Sequence, residues 1–291
     1  MNSLEALQKI GVGASDMTGS ERRELDANGY FIIPAALSPE QCGEMAAEVD
    51  RIAAIEGEKA GSEVSQEAGT LRISNIFNKS AVFDPLLTIK PLLAASHYLL
   101  GEFKLHGANV REPRQGGGKQ PLHADSVKLP DGGWCIVNSL ICFDAMTLDN
   151  GPTRVVPGSH NWAPLNVPGE NALDYSNKSR EKPHKWAAEG DKVEDHVAAS
   201  PVVGDTSKAP ADPFAPYPGE VLVTVPAGSV VVCNAHMWHS GTQKYGAARR
   251  RQLHLSYTRR DLPQQLIQRK FLTPEFNARL SDAHRFLLDI A

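Results

Sequence analysis

After residue 101 the chain changes to short apolar runs, rich in β-branched residues and separated by Gly, Pro, Asn and Asp. Several such runs in succession, with turn residues between them, predict an antiparallel sandwich or barrel. The runs are FKLHGANV, WCIVNSLICF, TRVVP, EVLVTVP, SVVVCNAH and RQLHLSYT. This part of the chain therefore restricts the fold to one with a β-sheet core.

The preceding residues carry helix signals. The segment SERRELDANG, residues 20–29, predicts a short helix that Ser20 caps, and a short apolar strand, YFIIPAAL, follows it. A longer helix begins in SPEQCGEMAAEVDRIAAIEG, where Ser38 is the N-cap, Pro39 the first helical residue and Gln41 the partner in a capping box. We therefore expect a helical N-terminal part packed on a β core.

Three further segments complete the outline. DPLLTIKPLLAASHYLLG, residues 84–101, predicts a helix that Pro91 can divide into two pieces. The polar, Pro- and Ala-rich stretch between His160 and Gly219 has no sustained periodicity, so it predicts either a functional lid or a disordered surface insertion. The segment FLTPEFNARLSDAHRFLLDIA predicts closing helices.

Composition excludes several function classes. A net charge of −4 offers no broad basic surface for nucleic acid, and no apolar run approaches the length of a membrane span. The N-terminus lacks the basic and apolar regions of a secretory leader. The four cysteines, Cys42, Cys135, Cys142 and Cys233, show no C-x-x-C spacing, which favours reduced thiols over disulfides or zinc. These features predict a cytoplasmic protein.

A possible metal site lies in PLHADSVKLPDGGW, where His123 and Asp125 are two residues apart. On a strand, side chains at i and i+2 point to the same face, so both can reach one metal ion. Imidazole and carboxylate together suit Fe(II), which would require a second histidine from elsewhere in the chain. The alternative is a surface His and Asp at the start of a loop, since both residue types are common there.

The segment AGSVVVCNAHMWHSGTQKYGAARRRQLHLSY can supply that histidine. It holds His236 and His239 near the end of a predicted strand, and then three arginines, residues 249–251, before the next strand. Taken alone, the histidines also fit a core or surface position, and the arginines fit a solvated loop end. A buried arginine at a strand start would instead suit bidentate binding of a carboxylate.

Together these segments resemble the phytanoyl-CoA dioxygenase-like family of Fe(II)/2-oxoglutarate-dependent oxygenases, over most of the chain. LDANGYFIIPAALSPEQC resembles the opening helix, strand and helix of the family, and PLHADS carries its H-x-D motif. DNGPTRVVPGSHNW matches its N-G-x-T-x-x-x-P-G-S-H stretch, and AGSVVVCNAHMWHSG resembles the strand with the distal histidine. The resemblance implies a mainly β fold with flanking helices, whose core is a double-stranded β-helix, the cupin-like jelly roll.

The resemblance also implies roles for individual residues. It makes His123, Asp125 and His239 the iron ligands and leaves His236 as a neighbour. The arginine that anchors 2-oxoglutarate normally falls eleven residues after the distal histidine, which selects Arg250. Weaker candidates for co-substrate binding are Gln120, Thr153 and Asn109.

The implied reaction uses Fe(II), 2-oxoglutarate and O2 and oxidises a C–H bond of a small metabolite. Related halogenases lack the carboxylate ligand, so Asp125 favours hydroxylation, desaturation or a related oxidation over halogenation. Candidate substrate contacts are Arg111, Arg114 and Trp186. Neither nucleic acid nor a membrane is an expected partner, and a homodimer is the oligomer considered.

We expect one oxygenase domain over residues 1–291. It would comprise a helical part at about 1–100, a jelly-roll core at about 101–260 with a lid-like insertion at 161–218, and C-terminal helices at 261–291. Two alternatives are a non-catalytic jelly-roll binding protein and a cupin-like enzyme that uses another divalent metal. The first alternative predicts loss of a ligand or of the arginine, and the second leaves Arg250 unexplained.

Overall fold

Helices surround a β core in the computed structural model, which describes residues 1–126, 128–129, 131–167 and 205–291. The helices of the described residues are α1 (Ser3–Lys9), α2 (Gly19–Asn28), α3 (Pro39–Glu56), α4 (Ile76–Lys79), α5 (Lys90–Leu100), α6 (Gln268–Phe271), α7 (Pro274–Arg279) and α8 (Asp282–Leu288). Short 3₁₀ segments lie at Ala14–Asp16, Gly57–Lys59, Ala81–Thr88, Ser159–Asn161 and Thr206–Lys208. None of the helices described combines the length and the apolar character that crossing a bilayer requires.

The strands of the described residues form two antiparallel sheets. They are β1 (Tyr30–Ile33), β2 (Thr70–Ile73), β3 (Phe103–Pro113), β4 (Ile136–Cys142), β5 (Thr153–Val155), β6 (Val221–Leu222), β7 (Val230–Asn234), β8 (His239–Gly241) and β9 (Gln252–Arg259). The larger sheet has the order β1-β7-β4-β9-β3-β2, and the smaller sheet has the order β6-β5-β8. The predicted β core with flanking helices, consistent with a jelly roll, is confirmed.

The larger sheet has an apolar outer face and a more polar inner face. On β9, Leu253 and Leu255 belong to the main core with residues of the helices, such as Leu92 of α5. Their neighbours in the strand, Gln252 and His254, point to the opposite face, because side chains alternate along a strand. We call the space between the two sheets the barrel interior. The alternation that builds the core therefore also places polar side chains in the barrel interior.

Two helix predictions need correction. Helix α2 starts at Gly19 and is capped by Thr18 rather than Ser20, since Thr18 and Glu21 form a reciprocal capping box. Ser20 has Arg23 three residues later, which cannot accept the second hydrogen bond of such a box. The prediction for α3 is confirmed, with Ser38 as the N-cap.

The stretch 84–101 forms a 3₁₀ segment, Ala81–Thr88, and helix α5 rather than one helix. The break falls at Ile89, and Pro91 lies in the first turn of α5. A proline has no N–H and crowds the preceding turn, so it is tolerated at a helix start and not inside. The division is therefore real, and Pro91 stands just after it.

Strands β2 and β6 differ from expectation. Strand β2 was not predicted from the sequence, and the run EVLVTVP contributes only the two residues of β6. Most of the predicted insertion at 161–218 lies outside the described residues. Its two described ends meet, because the rings of Trp162 and Tyr217 have centroids 6.2 Å apart and both pack on Trp238.

Candidate metal centre

His123, Asp125 and His239 converge at one end of the barrel interior. The segment that carries His123 bridges β8, since the two histidines exchange backbone hydrogen bonds of 3.0 and 2.8 Å. Asp125 Oδ1 lies 3.5 Å from His123 Nε2, and Asp125 Oδ2 lies 3.5 Å from His239 Nε2. One potential ligand atom from each residue lies within 4.8 Å of the others. Such a group can hold a single metal ion.

Backbone carbonyls set the tautomer of both imidazoles. His123 Nδ1 lies 2.9 Å from the carbonyl oxygen of Pro121, and His239 Nδ1 lies 2.8 Å from that of Met237. A carbonyl oxygen only accepts, so each Nδ1 carries the proton and donates it. The Nε2 lone pairs of both rings are then free for a metal, which is the arrangement of metal-bound histidines. The donor set fits Fe(II).

Electrostatics keep the carboxylate ionised. Burial would raise the pKa of Asp125. In the metal-free cluster the charge of His239 and hydrogen bonds from Nε2–H groups of the imidazoles outweigh it and hold the pKa well below its usual value. A bound metal would take the place of these Nε2 protons. For His239, burial opposes protonation, yet the charge of Asp125 and hydrogen bonds to Asp125 and Met237 raise the pKa above the ordinary value. The metal-free cluster therefore holds a carboxylate beside a histidine that binds protons readily.

We expect metal affinity to fall as the pH is lowered from about 8 to about 6. A ligating imidazole must be neutral, and a raised pKa means that His239 takes up its proton at a higher pH than a free histidine. Below that pKa, each pH unit should cost about tenfold in apparent affinity, because one proton competes with the metal. Competition titrations with a chelating dye across this range would measure the slope, and a flat profile would contradict it.

Asn138 of β4 supports the carboxylate ligand. Its side-chain Nδ2 donates to Asp125 Oδ2 at 3.3 Å. Asn138 was not among the predicted site residues, although an amide inside the apolar run WCIVNSLICF is a visible signal. Groups that orient metal ligands often matter almost as much as the ligands.

Replacement of Asn138 by alanine should weaken metal binding by about tenfold, the lower end of the effect of losing an outer partner. The carboxylate would keep its charge and lose one constraint on its orientation. Isothermal titration with Ni²⁺ would measure the change. Asn161→Ala, in the 3₁₀ segment Ser159–Asn161, serves as the matched control. Equal affinities for wild type and Asn138→Ala would mean that the hydrogen bond is unimportant.

Arg250 is the most deeply buried cation of the described residues, with 0% exposure. Its Nη1 donates to Gln252 Oε1 at 3.1 Å, whereas Nε and Nη2 are buried without a hydrogen-bond partner. Burial, and then the charge of Arg111, lower the pKa of Arg250 to about 9. Burying a guanidinium whose donors have no acceptor costs free energy unless an anion binds to them. The site therefore fits a carboxylate.

Its two neighbours point away from the barrel interior. Arg249 pairs with Asp50 and Glu112, and Arg251 pairs with Asp50 and Asp144. Both arginines therefore lie on the opposite face from Arg250, as side chains alternate along an extended segment.

The weaker co-substrate candidates lie near the triad or on the inner face of the larger sheet. Gln120 Oε1 accepts from the backbone N–H of Gly241 at 3.1 Å, and Thr153 is paired with Gly241 in the register of β5 and β8. A Cβ at Gly241 would stand 2.5 Å from the carbonyl oxygen of Gly118, so only glycine fits here. Asn109 donates to Gln265 Oε1 at 2.6 Å, and its own Oδ1 is buried without a partner.

The predicted substrate contacts and His236 are scattered. Arg111 is buried and paired with Glu67, and Arg114 is exposed on a surface depression that Glu112 also lines. Trp186 lies outside the described residues. His236 is buried beside the ring of Trp134, at a centroid distance of 5.0 Å, and takes no part in the cluster of three.

The chain is similar to several known proteins. A 2-oxoglutarate-bound relative in structure is HygX from Streptomyces hygroscopicus, solved with nickel and 2-oxoglutarate. It superposes with a TM-score of 0.57 at 16% identity, over 85% of this chain and 89% of HygX, which shows a shared fold.

Two curated relatives match parts of the sequence. The multifunctional dioxygenase prhA of Penicillium brasilianum is 27% identical over 153 residues, 46% of this chain and 50% of the relative. L-proline trans-4-hydroxylase of Streptomyces griseoviridis is 28% identical over 137 residues, 47% of this chain and 44% of the relative. The matched region thus spans half or less of either relative.

The family model for phytanoyl-CoA dioxygenase matches residues 25–252, which include the H-x-D segment, strands β1 to β8 and Arg250. The predicted family is therefore confirmed: this chain belongs to the phytanoyl-CoA dioxygenase family.

Proposed function

We propose that the protein is an Fe(II)- and 2-oxoglutarate-dependent dioxygenase that hydroxylates a C–H bond of a small metabolite and releases succinate and CO2. The observation that carries this proposal is the pairing of two features. One is a complete cluster of two imidazoles and one carboxylate, and the other is a fully buried arginine with free donors. A metal site alone would fit many enzymes, whereas the added arginine fits a co-substrate that ends in a carboxylate.

Each residue then has a defined task. His123, Asp125 and His239 would hold the iron, and three ligands leave open positions for a chelating co-substrate and O2. Bound iron, with 2-oxoglutarate and O2, would supply the oxidant for C–H cleavage. Arg250 would hold the distal carboxylate of 2-oxoglutarate, and Gln120 and Thr153 would shape the wall beside β8. Burial of Thr153 and Arg250 would keep water away from the co-substrate, whereas Asp125 and His239 are partly exposed.

The relatives support a small substrate. By its name, one curated relative hydroxylates L-proline, and HygX has been solved with hygromycin B bound. Both are small molecules, although of different chemistry. A small metabolite is thus favoured over a macromolecule. The four cysteines form no disulfide among the described residues and are mostly buried, which agrees with the cytoplasmic location that the sequence predicts.

The test is succinate formation from 2-oxoglutarate, with Fe(II) and ascorbate, in the presence of pooled metabolites. We expect at least one pool to stimulate turnover, and a product heavier by one oxygen atom in that pool. Asp125→Ala should remove the stimulated turnover. Iron-loaded protein that binds no 2-oxoglutarate would favour the cupin-like or binding-protein alternatives and would refute the proposal.

A further inference from the structure

A mostly buried arginine, Arg72, lies in the barrel interior and has no role in the proposed metal and co-substrate sites. Arg72 is on β2, directly opposite Arg111 of β3 in the sheet register. Directly opposed residues of neighbouring strands share a face, so both guanidinium groups lie on the inner side. The side chain of Arg72 is only 15% exposed, and its Nε is buried without a hydrogen-bond partner. Arg72 therefore resembles Arg250 in lacking a complete set of acceptors.

Glu67, the carboxylate that contacts Arg72, does not satisfy all the donors of Arg72, because it is bound mainly by Arg111. Glu67 accepts two hydrogen bonds from Arg111, from Nε at 2.9 Å and from Nη2 at 2.5 Å. Its contact with Arg72 Nη1 is longer, at 3.4 Å. A fork-to-fork pair of this kind is the strongest arrangement that a carboxylate and an arginine form. Glu67 thus belongs to Arg111, and Arg72 retains donor capacity.

Arg72 is electrostatically linked to the reaction centre. Burial, and then the charges of Arg72, Arg111 and Arg250, hold the pKa of His254 well below its usual value, so this histidine of β9 stays neutral. The charge of Asp125 in turn acts on Arg72. The guanidinium of Arg72 therefore lies within the reach of charge interaction with both the triad and the arginine cluster.

The arginines in and around the barrel interior outnumber the carboxylates there. Three arginines, Arg72, Arg111 and Arg250, face two carboxylates, Glu67 and Asp125, in and around the barrel interior. Fe²⁺ adds two positive charges and 2-oxoglutarate adds two negative charges, so loading the proposed site leaves the excess unchanged. One positive charge remains without a counterpart. Arg72 is the arginine whose only carboxylate contact among the described residues, 3.4 Å to Glu67, is shared with Arg111, and it has no assigned ligand.

We propose that Arg72 binds a carboxylate of the primary substrate and thereby holds it beside the metal centre. This inference rests on the proposed function and narrows its substrate class to carboxylic acids. The excess charge favours an anion, and the donors of Arg72 suit the two oxygens of a carboxylate.

The test compares acids with their primary amides. The probes are the proteinogenic L-amino acids and a set of straight-chain and aromatic carboxylic acids, each paired with its amide. Binding to the protein is measured by ligand-observed NMR in the presence of Ni²⁺ and saturating 2-oxoglutarate. The 2-oxoglutarate occupies Arg250, and Ni²⁺ in place of Fe(II) permits no turnover. At least one acid should bind about tenfold or more tightly than its amide, as expected for hydrogen bonds to a charged group.

Arg72→Gln should bring the two affinities of that pair close to equality. Arg51→Gln is the control, because Arg51 is 54% exposed on α3 and its loss changes the net charge equally. The visible absorption of the anaerobic Fe(II)/2-oxoglutarate complex reports folding of each variant. If Arg72→Gln loses this band, Arg72→Lys replaces it and should show a smaller acid preference than wild type.

Three outcomes would overturn the inference: no acid preferred over its amide in wild type, a preference that survives Arg72→Gln, or a loss of 2-oxoglutarate affinity in Arg72→Gln equal to that of an Arg250 variant. All three leave the Fe(II)/2-oxoglutarate absorption of wild type intact. Absence of that absorption in wild type would instead count against the proposed function itself.

Discussion

Asp125→Ala is expected to abolish metal-dependent turnover of 2-oxoglutarate and to weaken Fe(II) binding by at least about 100-fold, the upper end of the effect of losing even an outer partner. Asp125 is the single carboxylate of the cluster. Its Oδ1 lies 3.5 Å from His123 Nε2, and its Oδ2 lies 3.5 Å from His239 Nε2. Without it, two neutral imidazoles face the ion with no negative charge to balance it. Both charge neutralisation and one ligand are lost together.

Metal content after dialysis, and succinate release, measure this effect. Asp131→Ala is the matched control, because Asp131 is a carboxylate of the same segment that pairs with Arg259 on the surface. We expect that control to retain iron. An Asp125→Ala variant that binds iron as tightly as wild type would show that the ion is held elsewhere.

Arg250→Met is expected to weaken 2-oxoglutarate binding by at least about 30-fold while leaving metal binding in place. Truncating one partner of a buried, hydrogen-bonded charge pair costs about 2–5 kcal/mol, and Arg250 has 0% exposure. Arg250 Nε and Nη2 have no other acceptor among the described residues, so nothing competes with the co-substrate for them.

The same variant should not be destabilised in the absence of 2-oxoglutarate. Replacing a buried charge that lacks its partner with an apolar side chain of similar length is often neutral or stabilising, by about 1–4 kcal/mol. We therefore expect a Tm equal to or above that of wild type without 2-oxoglutarate, and a much smaller rise in Tm when it is added.

Calorimetric titration and thermal unfolding of the metal-loaded proteins would measure both effects. Arg249→Met is the control, since Arg249 makes its ion pairs with Asp50 and Glu112 on the outer face. Unchanged 2-oxoglutarate affinity in Arg250→Met would remove Arg250 from the co-substrate site.

Local sequence signals were sufficient for the H-x-D pair, whereas the full ligand set came from the resemblance to the family. The resemblance implied His123, Asp125 and His239, which the structure places within 4.8 Å of one another. Alternation along an extended segment explains why Arg250 faces the barrel interior and Arg249 and Arg251 do not.

Other parts depend on partners far apart in sequence. Glu67 and Arg111 are 44 residues apart, and Arg72 meets Arg111 only because β2 pairs with β3 at the sheet edge. The four residues TLRI of β2 are too short for a period-two pattern to be recognised. The start of α2 was misplaced for a local reason, because Ser20 was preferred over the complete capping box of Thr18 and Glu21.

Anaerobic addition of Fe(II) and then 2-oxoglutarate tests the central claim most directly, since it requires the metal and the co-substrate to occupy one site. We predict a visible metal-to-ligand charge-transfer band in wild type and no such band in Asp125→Ala. In Arg250→Met the band should appear only at a much higher concentration of 2-oxoglutarate. A wild-type protein that binds Fe(II) but develops no such band at saturating 2-oxoglutarate would contradict the claim.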